Sequence, residues 1–180
     1  MSASFVRHHS EVVPAHEPFV SEGHWNVERP RVLVVCCSDG RLQETIDEFL
    51  QHRLGIRHYD RFYAPGGPAA LVPGGHNSPQ THQYRSDAAF LIDAHDVQDL
   101  VLIFHSPASP GPEAAVCAHY RRVYPFASAE EIRAQQVEDM KEVMAYLRGL
   151  RLRGRIHAYR AEVLPDSRVQ FVSLALPIAV

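Results

Sequence analysis

A cysteine, an aspartate and an arginine stand at alternate positions directly after a strongly apolar segment. Residues 31–36 are mostly β-branched or aliphatic, as in a buried strand, and Cys37, Asp39 and Arg41 follow them. A thiolate is a ligand for a soft metal ion, and a carboxylate held by an arginine can accept a proton in a hydrogen bond. Ligands of open α/β sheets bind beyond the carboxyl ends of the strands. The end of this first strand is therefore a candidate site.

A histidine occupies the corresponding place after another apolar segment. Residues 100–104 are continuously apolar, which is typical of a central parallel strand, and His105 follows them. If the two strands are parallel neighbours, Cys37 and His105 lie at the same edge of the sheet. Thiolate and imidazole together form a typical pair of zinc ligands.

Each of these residues also has an ordinary structural interpretation. Free cysteine is most often a small core residue, and we favour that role for Cys36 and for Cys117, which the pattern places on a helix. Asp39 and Arg41 can form a pair that caps the next helix and holds the turn. His105 can be a core histidine whose hydrogen bonds are satisfied.

The remaining periodicity predicts an α/β fold with a central, mostly parallel sheet, flanked by helices and extended by antiparallel C-terminal strands. Residues 1–30 contain three prolines and no sustained periodicity, so we predict an extended N-terminal arm over the body or over a partner subunit. Residues 31–180 are predicted to form a single domain. The predicted strands cover residues 31–36, 58–64, 100–104, 155–162 and 169–174, and the predicted helices cover 42–54, 81–95, 112–120 and 128–150.

Composition argues against several classes of protein. A hydrophobic content of 46%, a charged content of 22% and a formal charge of -3 give no reason to expect a nucleic acid or membrane partner. No apolar run approaches the roughly 20 residues of a membrane span, and the N-terminus lacks the apolar core of a signal peptide. We therefore expect a cytoplasmic protein. Its 3 cysteines, two of them adjacent, make a poor disulfide framework.

The sequence Cys37-Ser38-Asp39-Gly40-Arg41 resembles the Cys-x-Asp-x-Arg motif of the β-class carbonic anhydrases. A glycine-rich turn, a helix and an apolar strand that ends in a histidine follow it at suitable distances, and residues 154–159 resemble the closing strands of that family. The resemblance covers residues 31–174, and the five-residue motif in its strand-to-helix context is its most specific part.

The resemblance implies the β-carbonic anhydrase fold and a zinc lyase that interconverts carbon dioxide and bicarbonate. It implies that Cys37 and His105 bind Zn²⁺ and that Asp39 and Arg41 form a dyad beside the metal. It also implies a homodimer or a dimer-based oligomer, because the active sites of that family lie at a subunit interface.

The sequence departs from the family at the third zinc ligand. The family pattern is His-x-x-Cys, whereas this chain reads His105-Ser106-Pro107-Ala108, and alanine cannot bind zinc. Asp39 is the nearest replacement, because the family has resting forms in which the matching aspartate binds the metal. The predicted metal ligands are therefore Cys37, His105 and Asp39. His76, His82 or an arm histidine of a partner subunit is an alternative that the spacing does not support.

These observations predict a carbonic anhydrase-like protein with an altered zinc site that binds zinc weakly, or through these three residues, with reduced or lost activity. Under this hypothesis, Ala108→Cys would raise zinc affinity. The alternative is a metal-free, non-catalytic binding or regulatory protein that uses the same cleft for a small anion or a partner. A zinc enzyme acting on another small electrophile is a third possibility, so the sequence leaves open whether the chain is an enzyme.

Overall fold

The computed structural model describes residues 17–72, 78–150 and 152–174. Within these ranges the chain forms a five-stranded sheet and four α-helices. The strands are β1 (Val32–Cys37), β2 (Asp60–Ala64), β3 (Asp99–Pro107), β4 (Ile156–Val163) and β5 (Val169–Ser173). The helices are α1 (Gln43–Glu48), α2 (Ser78–Ala94), α3 (Ala118–Val123) and α4 (Ala129–Arg148).

The strand order across the sheet is β2-β1-β3-β4-β5. The first four of these strands are parallel to one another, and β5 pairs antiparallel with β4. The predicted fold class, a mostly parallel sheet between helices with antiparallel C-terminal strands, is confirmed. Since β1 and β3 are parallel neighbours, the ends of the two apolar segments meet at one edge, as the sequence predicts.

Helices from different parts of the chain cover the two faces of the sheet. Leu33 and Val35 of β1 pack in one buried cluster with residues of α2 and α4, whereas Val34 and Cys36 pack in another with residues of α1. Burial on both faces explains why β1 is a continuous apolar run instead of an alternating one. Neighbouring residues of a strand point to opposite faces. Cys36 and Cys37 therefore belong to different sides of the sheet.

Several element boundaries differ from the predicted ones. Strand β3 continues to Pro107, so His105 lies inside the strand and not beyond it. The helix predicted over residues 112–120 is wrong in its first half, where a short 3₁₀ helix, Glu113–Ala115, is followed by two extended residues. These two residues, Val116 and Cys117, are 7% and 1% exposed. Their burial against the core overrides the helical pattern, and α3 begins only after them.

The helix predicted over residues 42–54 is present but changes its winding. A 3₁₀ turn, Gly40–Leu42, leads into α1, and a π-helical turn, Phe49–Arg53, follows it. The start predicted for the last helix is confirmed, because Ser128 caps α4 in a reciprocal capping box with Glu131.

Residues 17–30 of the predicted arm have no regular secondary structure and are almost entirely exposed. Phe19 and Trp25 are 88% and 86% exposed. Residues 1–16 of the arm lie outside the described residues, so the predicted division into arm and domain stays a prediction. No helix in the described ranges is both long enough and apolar enough to span a membrane.

A glycine pair after β2 packs directly against the end of β1. Gly66 and Gly67 have φ values of +86° and +61°, which glycine adopts without steric cost. A Cβ atom on Gly67 would lie 2.8 Å from the backbone nitrogen of Cys37 and 3.1 Å from the carbonyl carbon of Cys36. The turn therefore helps to fix the backbone that carries Cys37.

Gly67→Ala is expected to destabilise the protein through both backbone strain and overlap with β1. The positive φ costs about 1–2 kcal/mol and the overpacking about 1–3 kcal/mol more. Gly55→Ala is the matched control, since Gly55 also has a positive φ, +71°, but no atom would lie within 4 Å of its Cβ. Urea unfolding of both variants measures the difference. Equal losses of stability would contradict the close packing of the turn against β1.

Candidate metal centre

Three soft or borderline metal ligands converge at the carboxyl edge of the sheet. Cys37 ends β1, and His105 lies near the end of the adjacent, parallel β3. Cys117 is the residue immediately before α3. The Sγ atoms of the two cysteines and a ring nitrogen of His105 all lie within 4.8 Å of one another.

The geometry of this cluster fits a zinc ion. Two sulfur atoms that each lie about 2.3 Å from a tetrahedral zinc are about 3.8 Å apart. The Sγ atoms of Cys37 and Cys117 are 3.9 Å apart. His105 is 3% exposed, and its Nε2 atom is buried without a hydrogen-bond partner in the described structure. Buried polar atoms normally have a partner, and a metal ion would supply one here.

Cys117 is the residue that sequence reasoning missed. The sequence predicts a core residue on a helix, and Cys117 does lie in the buried core. Its backbone is extended (φ -57°, ψ 124°), however, and its sulfur lies beside Cys37. It follows His105 by twelve positions, where the family pattern has a cysteine three positions after the histidine. The proline-rich loop between them was the available signal, because a loop that leaves the sheet edge can return a later residue to it.

The two thiols of the cluster share a hydrogen bond that separates their acidities. The pKa of Cys37 is lowered, first because the Cys117 thiol donates to its sulfur and second because His105 lies beside it. The pKa of Cys117 is raised, because its proton is the one shared with Cys37 and because the residue is buried. One thiolate is therefore already favoured before any metal binds, and the thiolate is the form that binds metal.

Cys36 takes no part in the cluster. It is 1% exposed and packs on the opposite face of the sheet with Val34 and residues of α1. Burial raises the pKa of its thiol to about 12. Cys36 is thus a core residue, the role that we favoured from the sequence.

Asp39 and Arg41 form a closed pair beside the cluster. Asp39 Oδ1 accepts a hydrogen bond from the backbone nitrogen of Arg41 at 3.1 Å, which caps the 3₁₀ turn. The guanidinium of Arg41 donates to the same carboxylate from Nε at 2.9 Å and from Nη2 at 2.5 Å. These bonds hold the pKa of Asp39 at about 2. The pair is both the cap and the ion pair that the sequence suggested.

Asp39 does not belong to the cluster of potential metal ligands, and its carboxylate faces Arg41. Its predicted role as a metal ligand stays a prediction. His82 is exposed on α2 and lies outside the cluster, and His76 lies outside the described residues.

A mostly apolar cleft adjoins the cluster. It has a volume of about 310 Å³, and Asp39, Arg41 and His105 lie along its wall. The rest of the lining consists of small or aliphatic residues and one serine: Leu42, Pro112, Ala114, Ala115, Val163, Ser167 and Val169. Arg41 Nη1 donates to the backbone oxygen of Ala114 at 3.1 Å, which ties the motif to the far wall of the cleft.

Ala108 lines neither the apolar cleft nor the cluster of potential metal ligands. Its backbone nitrogen donates to the oxygen of Val163 at 2.9 Å, and it lines a separate groove with Arg133, Arg160 and Glu162. That groove shares no residue with the cluster of Cys37, His105 and Cys117. The departure at Ala108 is thus accompanied by a cysteine that reaches the cluster from another position.

A hydrogen bond from helix α4 holds the backbone of His105 in place. Gln136 of α4 is fully buried, and its Nε2 atom donates to the backbone oxygen of His105 at 2.9 Å. This bond joins the end of β3 to the helix that covers it, so the position of His105 depends on the packing of α4.

No family model and no curated protein matches the sequence. The solved structures that resemble this one include the carbonic anhydrase from Glaciozyma antarctica, with 17% identity, a TM-score of 0.45 and coverage of 82% of this chain and 83% of that chain. The β-carbonic anhydrase CafA of the fungal pathogen Aspergillus fumigatus has 16% identity, a TM-score of 0.45 and coverage of 83% and 78%. The carbonic anhydrase from Streptococcus mutans has 16% identity, a TM-score of 0.44 and coverage of 84% and 87%.

These proteins carry the name of the family that the motif of residues 37–41 resembles. Their identities and TM-scores are too low for the likeness to carry a functional argument.

Proposed function

We propose that this protein is a zinc-dependent lyase that interconverts carbon dioxide and bicarbonate, with Cys37, His105 and Cys117 as the zinc ligands. The observation that carries the proposal is the convergence of two thiols and a buried, unpartnered imidazole nitrogen within 4.8 Å. Catalytic zinc sites keep three protein ligands and one open position. With Cys117 in place, the donor set is complete without Ala108 and without Asp39.

A zinc ion in this site would supply a Lewis acid that lowers the pKa of water towards about 7. The chain itself supplies an acceptor for a water in the adjoining cleft. Asp39 is ionised at every ordinary pH, because Arg41 holds its pKa at about 2. An ionised carboxylate in a fixed position can accept a hydrogen bond from water and so orient the lone pair that attacks.

The cleft suits a small, uncharged substrate. Most of its wall is aliphatic, and its polar groups are gathered around Asp39, Arg41 and His105. Carbon dioxide has no net charge and no hydrogen-bond donor, so an apolar wall accommodates it without an unsatisfied polar group. Bicarbonate carries a negative charge, which the exposed guanidinium of Arg41 would attract. The proposed activity is therefore hydration with Cys37, His105 and Cys117 as zinc ligands, in place of the reduced or lost activity that the sequence predicts for weakly bound zinc or for Asp39 as the third ligand.

We also propose that the protein acts in the cytoplasm and as a homodimer. The exposed aromatic side chains of the arm, Phe19 and Trp25, support the dimer, because burial against a second copy would remove them from water.

Analytical sedimentation of the full chain is expected to give twice the monomer mass. The Phe19→Ser/Trp25→Ser variant is expected to show a larger fraction of monomer in the same experiment. A monomer in the unchanged protein at micromolar concentration would refute the dimer.

Replacing any one of the three proposed ligands is expected to remove most of the bound zinc. Cys37→Ser, His105→Ala and Cys117→Ser should each weaken zinc binding by more than the roughly 10–100-fold cost of losing an outer-shell partner. Cys36→Ser is the matched control, since Cys36 adjoins Cys37 in sequence but lies on the opposite face. Elemental analysis of the purified protein and competition with a chromogenic chelator measure the change.

The Ala108→Cys variant tests whether residue 108, where the family motif has a cysteine, can reach the metal. Because Ala108 lines the Arg133 groove, Ala108→Cys should not raise zinc affinity, and it should not restore zinc to the Cys117→Ser variant. Restoration in the double variant would show that residue 108 reaches the metal. Absence of zinc from the unchanged protein, after reduction and added Zn²⁺, would favour the metal-free binding protein instead.

Asp39→Asn is expected to lower carbon dioxide hydration by about 10²-fold while leaving the zinc content unchanged, since a general acid–base group contributes 10²–10⁴-fold. The asparagine keeps the cap acceptor but loses the charge. Asp166→Asn is the control, because Asp166 and Arg168 form the same Asp-x-Arg pair on the surface. Stopped-flow hydration assays and zinc analysis are run on the same samples. A loss of zinc in Asp39→Asn would instead support Asp39 as a ligand.

A further inference from the structure

The two thiols of the cluster are in direct contact although 80 positions separate them in the sequence. Cys117 is 1% exposed, whereas Cys37 is partly exposed. The third cysteine, Cys36, packs on the other face of the sheet. The pair therefore consists of one partly exposed and one buried cysteine, with no competing thiol on their side.

We propose that Cys37 and Cys117 are a reversible redox modification site, at which a hydroperoxide closes a disulfide between them and so removes the metal centre. The sequence argues against a structural disulfide framework, and this bond is not one. It joins two residues whose other role, as zinc ligands, rests on the proposed function. The contact between the sulfurs is independent of that role.

The reaction needs one equivalent of hydrogen peroxide, the simplest hydroperoxide. The sulfur of Cys37 attacks a peroxide oxygen, the O–O bond breaks, and a sulfenic acid forms while the leaving hydroxide takes the proton of the thiol as water. The sulfur of Cys117 then attacks the sulfur of Cys37. The S–S bond forms, the S–O bond breaks, and the second hydroxide leaves with the proton of Cys117 as a second water. Two thiols are oxidised by two electrons, and the peroxide is reduced to water.

Relative exposure assigns the order of these steps. Cys37 is the more exposed residue of the pair, so its sulfur reacts first, and buried Cys117 is positioned to resolve the sulfenic acid. The sulfurs must approach from 3.9 Å to the bonding distance of about 2 Å. Rotation of either side chain about its Cα–Cβ bond moves a sulfur by an amount of this order.

The modification and the metal exclude each other. Zinc binds thiolates, and a disulfide offers none. Bound zinc occupies the sulfur electron pairs that would attack the peroxide, so the metal should protect the pair. By the same linkage, oxidation should abolish zinc binding, and reduction should restore it.

The test treats the reduced, metal-free full chain with equimolar hydrogen peroxide, then counts thiols after denaturation and maps the peptides by mass spectrometry. The thiol count is expected to fall from 3 to 1, with a Cys37–Cys117 cross-link and a free Cys36. Dithiothreitol should restore all thiols. The Cys36→Ser variant should form the same cross-link, whereas Cys37→Ala and Cys117→Ala should form no intramolecular disulfide.

Protein first loaded with Zn²⁺ should lose its thiols at least about tenfold more slowly. Sulfinic acid at Cys37 with Cys117 still reduced, a Cys36–Cys37 bond, or disulfides only between chains would each overturn the inference. The two proposals fail separately. A cross-link in protein that never binds zinc would refute the zinc lyase and support the redox site. An active zinc protein that forms no cross-link would refute the redox site and support the zinc lyase.

Discussion

Parallel pairing of β1 with β3 is the constraint on which the rest of the site depends. The pairing brings Cys36 opposite Ile103, so Cys37 and the last residues of β3 lie at the same edge of the sheet. Hydrogen bonds along five residue pairs fix this register, and a slip of one residue would turn each side chain to the other face. Cys37 and His105 meet because both strands are buried on both faces and cannot slip.

The two Asp-x-Arg turns of the chain show what local chemistry contributes and what it does not. In each turn the arginine backbone nitrogen donates to the aspartate Oδ1 at 3.1 Å, and the guanidinium closes on the same carboxylate. Both turns follow from three residues alone. Only the turn at Asp39 has a thiol two positions before it, at the end of a central strand and beside an apolar cleft. The pair is a general turn motif, and its place in the sheet makes it a candidate for catalysis.

Cys117 shows that a cluster of potential metal ligands depends on distance in space and not on spacing in sequence. Its segment returns to the sheet edge after a proline-rich loop, and Val116 and Cys117 are buried in extended conformation before α3 begins. Ala108, closer to His105 in sequence, is turned into a different groove by the backbone bond to Val163. The spacing of the family motif therefore identifies two of the potential ligands, Cys37 and His105, whereas the folded chain brings Cys117 to the same place as a third.

The sequence by itself determined the α/β class, the parallel pairing of the two apolar strands, the helix that begins after Ser128, the Asp39–Arg41 pair and the meeting of Cys37 with His105 at one edge of the sheet. These features follow from hydrophobic periodicity, helix capping and motif spacing, which act over a few residues. Only the tertiary structure decided that Cys117 joins the cluster and that Ala108 lines a different groove. Burial of residues far apart in the chain decides such contacts, because it can override a local helical pattern and no local pattern records it.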